Sequence, residues 1–209
     1  MTPSPLLDWR DRTAVVIASG PSLTDQQVGV VENDNRCMSI VTNTSYRKCL
    51  APDVVFGVDF LWWKLNLAAV KDAYRLSGSP PKLWTQDRAA AERFGLRWTR
   101  PASRDGLGRG VIHTGGNSGY AAINLAYLFG ARRILLLGFD MQAGPKGEKH
   151  WHPDHPKPLV QHQQFNEWAH KFKRLAEELR DEGARVVNCT PGSALPWFPM
   201  GKIEEELAK

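Results

Sequence analysis

The run from Thr114 to Asp140 constrains this chain more than any other stretch. It joins a glycine-rich loop, Thr114-Gly-Gly-Asn-Ser-Gly119, to Tyr120-Ala-Ala-Ile-Asn-Leu-Ala-Tyr-Leu-Phe129 and then to Arg133-Ile-Leu-Leu-Leu-Gly-Phe-Asp140. The middle segment predicts a helix that is apolar on nearly every face, and such a helix must be covered all round by protein. Ile134 to Leu137 with Gly138 predict a strand buried on both faces, as in a parallel sheet. The loop ahead of the helix offers the free N–H groups of a helix N-terminus, where phosphates and carboxylates bind. Together they place an anion or nucleotide site at the carboxyl edge of an α/β sheet.

The rest of the chain repeats the same unit. Thr13-Ala-Val-Val-Ile-Ala18 is a β-branched run that ends in the tight loop Ser19-Gly-Pro-Ser22, with Ser22 and Thr24 as candidate N-caps for the next helix. Further strands are expected at Met38-Ser-Ile-Val41, ending at Asn43, and at Val54-Val-Phe56, ending at Asp59. A helix from Leu61 to Leu76, a strand at Lys82-Leu-Trp-Thr85 and a short helix from Ala89 to Phe94 follow. Phe165, Trp168, Phe172, Leu175 and Leu179 have the three-four spacing of an amphipathic helix, with Gly183 as its stop. Arg185-Val-Val-Asn188 is the last strand, turning off through Cys189-Thr-Pro-Gly-Ser193. Strand, loop and helix in alternation imply a parallel sheet with helices on its faces. The expectation is one domain over residues 1–209. Residues 99–112, which have no useful periodicity, form a flexible lid-like excursion, and 142–158 a second mobile loop at the same edge.

Composition narrows the function. The net charge of +5 suits anionic ligands, but the basic residues are scattered, so nucleic acid is not indicated as a partner. No apolar run reaches the length of a membrane span, and the N-terminus lacks the pattern of a signal peptide. Cys37, Cys49 and Cys189 are odd in number and far apart, which reads as buried thiols of a reducing cytoplasm. The eight tryptophans are many for this length, and those in or near loops are candidates to line a cleft, although core packing is the commoner use.

Ligands of open α/β sheets bind outside the carboxyl ends of the strands. Those ends supply Gly20, Pro21 and Ser22; Asn43; Asp59; Asn117, Ser118 and Gly119; Asp140; and Thr190, Gly192 and Ser193. Gly20, Asn43, Asp59, Ser118, Asp140 and Ser193 are expected to line one cleft. The dinucleotide fingerprint and the Walker lysine are both absent, which disfavours ordinary NAD binding and P-loop hydrolysis. His150-Trp-His152-Pro-Asp154-His155 spells the His-x-His-x-Asp-His of zinc hydrolases, but that site needs further ligands on a β-sandwich, and this chain reads as parallel α/β. Imidazoles beside an anion site suit general acid/base work, so His150, His152 and His155 are the catalytic candidates.

The series Ala18-Ser-Gly-Pro-Ser-Leu23, Asn43, Asn117-Ser-Gly119, Leu137-Gly-Phe-Asp140 and Cys189-Thr-Pro-Gly-Ser-Ala-Leu195 resembles the bacterial sialyltransferases of the Campylobacter type and related domains of unknown function. Those relatives include motility accessory glycosyltransferases and an archaeal pterin diphosphokinase. The general look also resembles small proteins of phage genomes. The resemblance implies a Rossmann-like doubly wound sheet and a nucleotide-activated sugar bound without metal. Gly20 to Ser22 would approach the phosphate, Asn43, Asp59, Ser118 and Gly119 the nucleotide and sugar, and Thr190 to Ser193 the base and ribose. A loop histidine, His152 or His155, would be the general base. The tyrosines that hold the phosphate in that family are missing, and Lys149 and Trp151 stand in that region; Gly115 stands near the family's arginine.

The expectation is therefore a cytoplasmic glycosyltransferase-like enzyme of a bacterium or phage-infected cell. Its partner is a nucleotide or nucleotide-sugar, and it has no cofactor. The alternative is a diphosphokinase using ATP and Mg²⁺ through Asp59 and Asp140. The third class is a non-catalytic nucleotide-binding protein, and an oligomer is left open.

Overall fold

The computed structural model describes residues 1–153, 159 and 164–209. His155, Asp154 and His162 lie outside the described residues. The centre is β1 (Thr13–Ile17), whose Ala14 to Ile17 are fully buried. Its alternating side chains feed two cores: Ala14 and Val16 face one layer of helices, Val15 and Ile17 the other. β2 (Cys37–Thr42), β3 (Val54–Phe56), β4 (Lys82–Thr85) and β5 (Arg97–Trp98) extend the sheet to one side. β8 (Arg133–Leu137) and β9 (Arg185–Asn188) extend it to the other, giving the order β5-β4-β3-β2-β1-β8-β9 with every pairing parallel. The strand order therefore reverses direction between β1 and β8, and ligands of such sheets bind at a reversal of this kind.

Helices α1 (Asp25–Glu32), α2 (Phe60–Ala73), α3 (Arg88–Phe94) and α6 (Ile203–Leu207) bury side chains in one face. α4 (Ser118–Leu128) and α5 (Phe165–Asp181) cover the other. The sheet is doubly wound, as the alternation implied. Of the two cap candidates Thr24 is used: its Oγ1 accepts from Gln27 N while Gln27 Oε1 accepts from Thr24 N, a capping box. α2 ends three residues before the expected Leu76. The sequence reading did not foresee α6 or the two-residue strands β5, β6 (Pro101–Ala102) and β7 (Ile112–His113), which are too short to carry a period.

The apolar α4 is covered as its composition demanded. All of Gly119 to Tyr127 are buried, and Tyr120 packs edge-on against Phe172 of α5 with ring centroids 5.0 Å apart. The remaining cover comes from residues 99–112, expected as a lid. Asn124, buried in α4, takes the N–H groups of Gly108 and His113 on its Oδ1 and gives its own N–H to Gly108 O. Tyr120 Oη accepts from Gly106 N, and Glu178 of α5 accepts from Leu107 N. None of residues 99–112 lines the main cleft. That segment packs against α4, its backbone held by Asn124, Tyr120 and Glu178. Among the described residues no helix is long and apolar enough to cross a membrane.

Candidate functional site

A cleft of about 320 Å³ opens over the carboxyl ends of β4, β3, β2, β1 and β8. Gly20, Pro21, Asn43, Asp59, Asn117, Ser118, Gly119, Asp140 and His150 all line it. Five of the six residues expected to share one cleft do so; Ser193 is the exception.

The turn after β9 braces the site from behind. Thr190 Oγ1 accepts from Phe139 N at 2.9 Å, and Ser193 Oγ donates to Phe139 O at 2.5 Å. Ala194 N donates to Asp140 O, and Gly192 O accepts from Gln142 Nε2. The hydroxyls of Thr190 and Ser193 thus fix the backbone of Phe139, while Gly192 holds the Gln142 side chain. The Thr-x-Gly-Ser pattern that reads as a ligand contact is a strut.

Gly20 has a specific reason to be glycine. A Cβ there would fall 1.9 Å from Asp140 Oδ2, so the missing side chain admits the Asp140 carboxylate. Asp140 Oδ1 then takes the N–H of Ser22 at 3.0 Å, and Gly20 N bonds Gly138 O. The first loop therefore directs its N–H groups to β8 and to Asp140, where the resemblance had implied a phosphate. Ser22 does not line the cleft. Burial raises the Asp140 carboxyl above its ordinary range, and the Ser22 bond only partly offsets this.

The N-terminus of α4 is also partly occupied. Asn117 is its N-cap, and its Oδ1 accepts from both Gly119 N and Tyr120 N. Ser118 Oγ accepts from Asn43 Nδ2 at 3.1 Å, a bond that ties the end of β2 to the start of α4 across the cleft. Asn43 pays for this position with a left-handed backbone, φ 47°, a conformation that asparagine tolerates better than most residues.

Asp59 stands at the N-cap of α2 but makes no cap bond. Asp87 does that work, accepting from Phe60 N through Oδ2 and from Ala90 N of α3 through Oδ1. Among the described residues nothing donates to the Asp59 carboxylate, which remains directed to the cleft. Its pKa is raised by burial and, secondarily, by Asp87.

The three candidate histidines differ. His150 lines the cleft, with Nδ1 3.1 Å from Ser19 Oγ. His152 does not line it; it stacks on His150 with centroids 4.8 Å apart, and its Nδ1 meets Pro153 O at 2.7 Å. His155 lies outside the described residues. Trp151 fastens this loop, donating its N–H to Ser19 O at 3.1 Å under the Lys48 ammonium, 4.7 Å from the ring. Among the described residues no group of three or more His, Cys, Asp or Glu is placed to hold a metal ion, and Lys149 is the one lysine or arginine that lines the cleft.

Gln86 and Trp62 are two of the several lining residues that the sequence did not single out as site residues. Gln86 lies beyond β4 and Trp62 inside α2. Neither belongs to a motif, and only the strand order brings them to the cleft. Asn43 Oδ1, Trp62 Nε1, Gln86 Oε1 and Asp140 Oδ2 are all buried without a hydrogen-bond partner among the described residues.

Among solved structures, the chain is similar to the MAf glycosyltransferase from Magnetospirillum magneticum AMB-1, with a TM-score of 0.65 and 17% identity. The match covers 97% of this chain and 36% of that one, so the likeness is one of fold with part of a larger protein. No curated protein matches. Residues 3–144, which carry β1 to β8 and every cleft-lining residue up to Gln142, match the model of a family described as 6-hydroxymethylpterin diphosphokinase MptE-like. With two thirds of its length inside that match, the chain belongs to the MptE-like family.

Proposed function

We propose that the cleft binds a nucleotide-activated donor and that the protein transfers a glycosyl group from it to an acceptor hydroxyl. One observation carries this reading: four buried polar atoms without partners, from Asn43, Trp62, Gln86 and Asp140, belong to residues lining a single cleft at the reversal of strand order. Each such atom costs about 1–3 kcal/mol if nothing pairs with it. A chain that leaves four of them along one cleft has the partners of a polar ligand to gain. The volume and the position outside the strand ends suit a nucleotide.

In this reading His150 is the general base, because it is the histidine that reaches the cleft, and Ser19 orients its ring. His152 supports His150 from behind. Lys149 neutralises charge that develops on the departing phosphate, together with the N-terminal dipole of α4. Asn43 and Ser118 hold the nucleotide, and Asp59 takes hydroxyls of the donor. No metal is required.

A second reading is favoured by the charge of the site and by the name of the family. Two carboxylates and one lysine do not balance a polyphosphate. Asp59 and Asp140 are hard oxygen donors of the kind that hold Mg²⁺ together with phosphate oxygens and water. A diphosphokinase would use Mg²⁺ to neutralise ATP; Asp59 and Asp140 follow strands three apart in the sheet, so each would hold its own ion with phosphate oxygens and water. Thermal shift with CMP, UDP and ATP, each with and without Mg²⁺, separates the two. Stabilisation by CMP or UDP without metal supports glycosyl transfer, and stabilisation by ATP only with Mg²⁺ supports diphosphate transfer. If no nucleotide stabilises the protein, both readings fall. His150→Ala that keeps nucleotide binding and loses transfer separates either enzyme from a pure binder.

A further inference from the structure

The cleft has two chemically different ends. The ends of β4 and β8 are four strands apart in the sheet, about 19 Å at the usual strand spacing. Asp140 and the loop of Lys149 and His150 belong to the β1–β8 end, where Trp151 fastens that loop to Ser19. Asn43, Asp59, Trp62 and Gln86 belong to the β2–β4 end. A group held at one end does not reach the other.

Acceptors dominate the β2–β4 end. Asn43 Oδ1 and Gln86 Oε1 are buried and unpartnered, and the Asp59 carboxylate receives no bond among the described residues. Trp62 Nε1 is the one donor among the atoms buried without a partner at this end, and the Gln86 amide carries a second donor on Nε2. Neither a lysine nor an arginine lines this end among the described residues. A carboxylated ring would meet acceptors on several sides and no cation. A ring rich in O–H or N–H groups would satisfy them.

Gln86 is also held in place from behind. Its carbonyl accepts from Trp98 Nε1 at 3.0 Å, Thr85 Oγ1 takes the N–H of Asp87, and Thr99 N bonds Thr85 O. The loop from β4 to α3 is therefore fixed before any ligand arrives, and the Gln86 side chain sits on a rigid mount, as a recognition residue requires.

We propose that the β2–β4 end recognises an uncharged ring carrying at least two hydrogen-bond donors beside one acceptor, and that Gln86 determines this specificity. The proposal rests on the nucleotide-donor reading and narrows it, since it excludes an acidic sugar from this end. Two sources share the chemistry: the hydroxyls of a neutral sugar, and the amino and ring N–H groups of a purine-like base.

Calorimetric titration of the wild-type protein and of Gln86→Leu with UDP, UDP-glucose, guanosine and CMP-N-acetylneuraminic acid tests it. In Gln86→Leu, binding of UDP-glucose or of guanosine weakens about tenfold or more, the loss of one hydrogen bond to a buried acceptor. UDP binding stays within twofold, and the melting temperature is unchanged or raised because an unpartnered carbonyl has been removed. Loss confined to UDP-glucose assigns the sugar hydroxyls; loss confined to guanosine assigns the base. The proposal is overturned if neither probe is weakened, or if CMP-N-acetylneuraminic acid binds more tightly than both and is itself weakened. Absence of wild-type binding by every probe would overturn the nucleotide reading as well, whereas UDP binding with no effect of Gln86 overturns this inference alone.

Discussion

Two groups of buried carboxylates in this protein have opposite surroundings. Glu206 of α6 is nearly inaccessible and is met by three cations: Arg133 of β8 at 3.1 Å, Arg185 of β9 at 3.2 Å and Lys209. Its pKa is lowered, chiefly by Lys209 and against the effect of burial. Asp140 is equally inaccessible, receives one backbone N–H on Oδ1 and leaves Oδ2 with no partner; Asp59, half-buried, receives nothing from the described residues. Burial raises both of these pKa values. The residue class is the same and the energetics are reversed. Glu206 fastens α6 beneath β8 and β9, whereas the cleft acids hold unfavourable desolvation that a ligand, a proton or a cation would relieve. The difference separates a structural carboxylate from a functional candidate more surely than burial alone.

The comparison predicts opposite outcomes for removing charge. In the Mg²⁺ reading Asp140→Asn should lower diphosphate transfer at least about a hundredfold, and in either reading it should raise stability by about 1 kcal/mol because a desolvated charge is gone. Denaturant unfolding and a turnover assay on the same preparation check both signs. A variant that loses activity and stability together would place Asp140 with Glu206.

Glu206→Gln should cost about 2 kcal/mol and leave nucleotide binding unchanged. The cost stays below that of a fully buried pair because Arg133, Arg185 and Lys209 are 25, 54 and 53% exposed and can be resolvated. Urea denaturation and ligand titration give the two numbers.

Stability against pH should show both signs. A carboxyl whose folded pKa is raised binds its proton more tightly in the folded state. Asp59 and Asp140 therefore add stability as pH falls from above their raised values towards the ordinary 3.8. Glu206 is the reverse: its contribution is complete above the ordinary 4.5 and is lost as pH falls through its lowered value. Melting temperature should rise on mild acidification and fall on stronger acidification. Asp140→Asn should flatten the rise and Glu206→Gln should reduce the fall.

The smallest effect concerns the thiols. Burial pushes Cys37 up to about 11 and Cys189 up to about 12, and raises Cys49 as well. At pH 8 a thiol reagent should find none of the three in the folded protein and all three after denaturation.

Much of the architecture was legible in the chain. The β-branched runs at Thr13 and Val54, the uniform apolarity of Tyr120 to Phe129 and the spacing of Phe165 to Leu179 each carry a period or a burial signal that packing then obeys. Several strand ends were placed as well, because a parallel sheet puts all of its carboxyl ends on one edge. Contacts across that edge were not legible. The motif at Thr190 to Ser193 has the composition of a binding turn, yet its hydroxyls close on Phe139. Gln86 has no motif at all, and its place in the cleft depends on β4 lying two strands from β2.

Residues 99–112 show the same limit. Their glycines and irregular pattern fit a lid, and nothing local predicts that Asn124 and Tyr120 of the buried helix will capture their backbone. The sequence by itself determined the alternation of strands and helices, the buried central helix and the acids Asp59 and Asp140 at strand ends, because periodicity and burial are local properties of the chain. Tertiary structure alone decided which polar atoms find partners. It paired Glu206, spent Thr190 and Ser193, placed Asp140 in the space left by Gly20, and left Asn43, Gln86 and Asp140 with unpartnered atoms in one cleft. Hydrogen-bond satisfaction depends on groups far apart in the chain, so only the assembled fold fixes it.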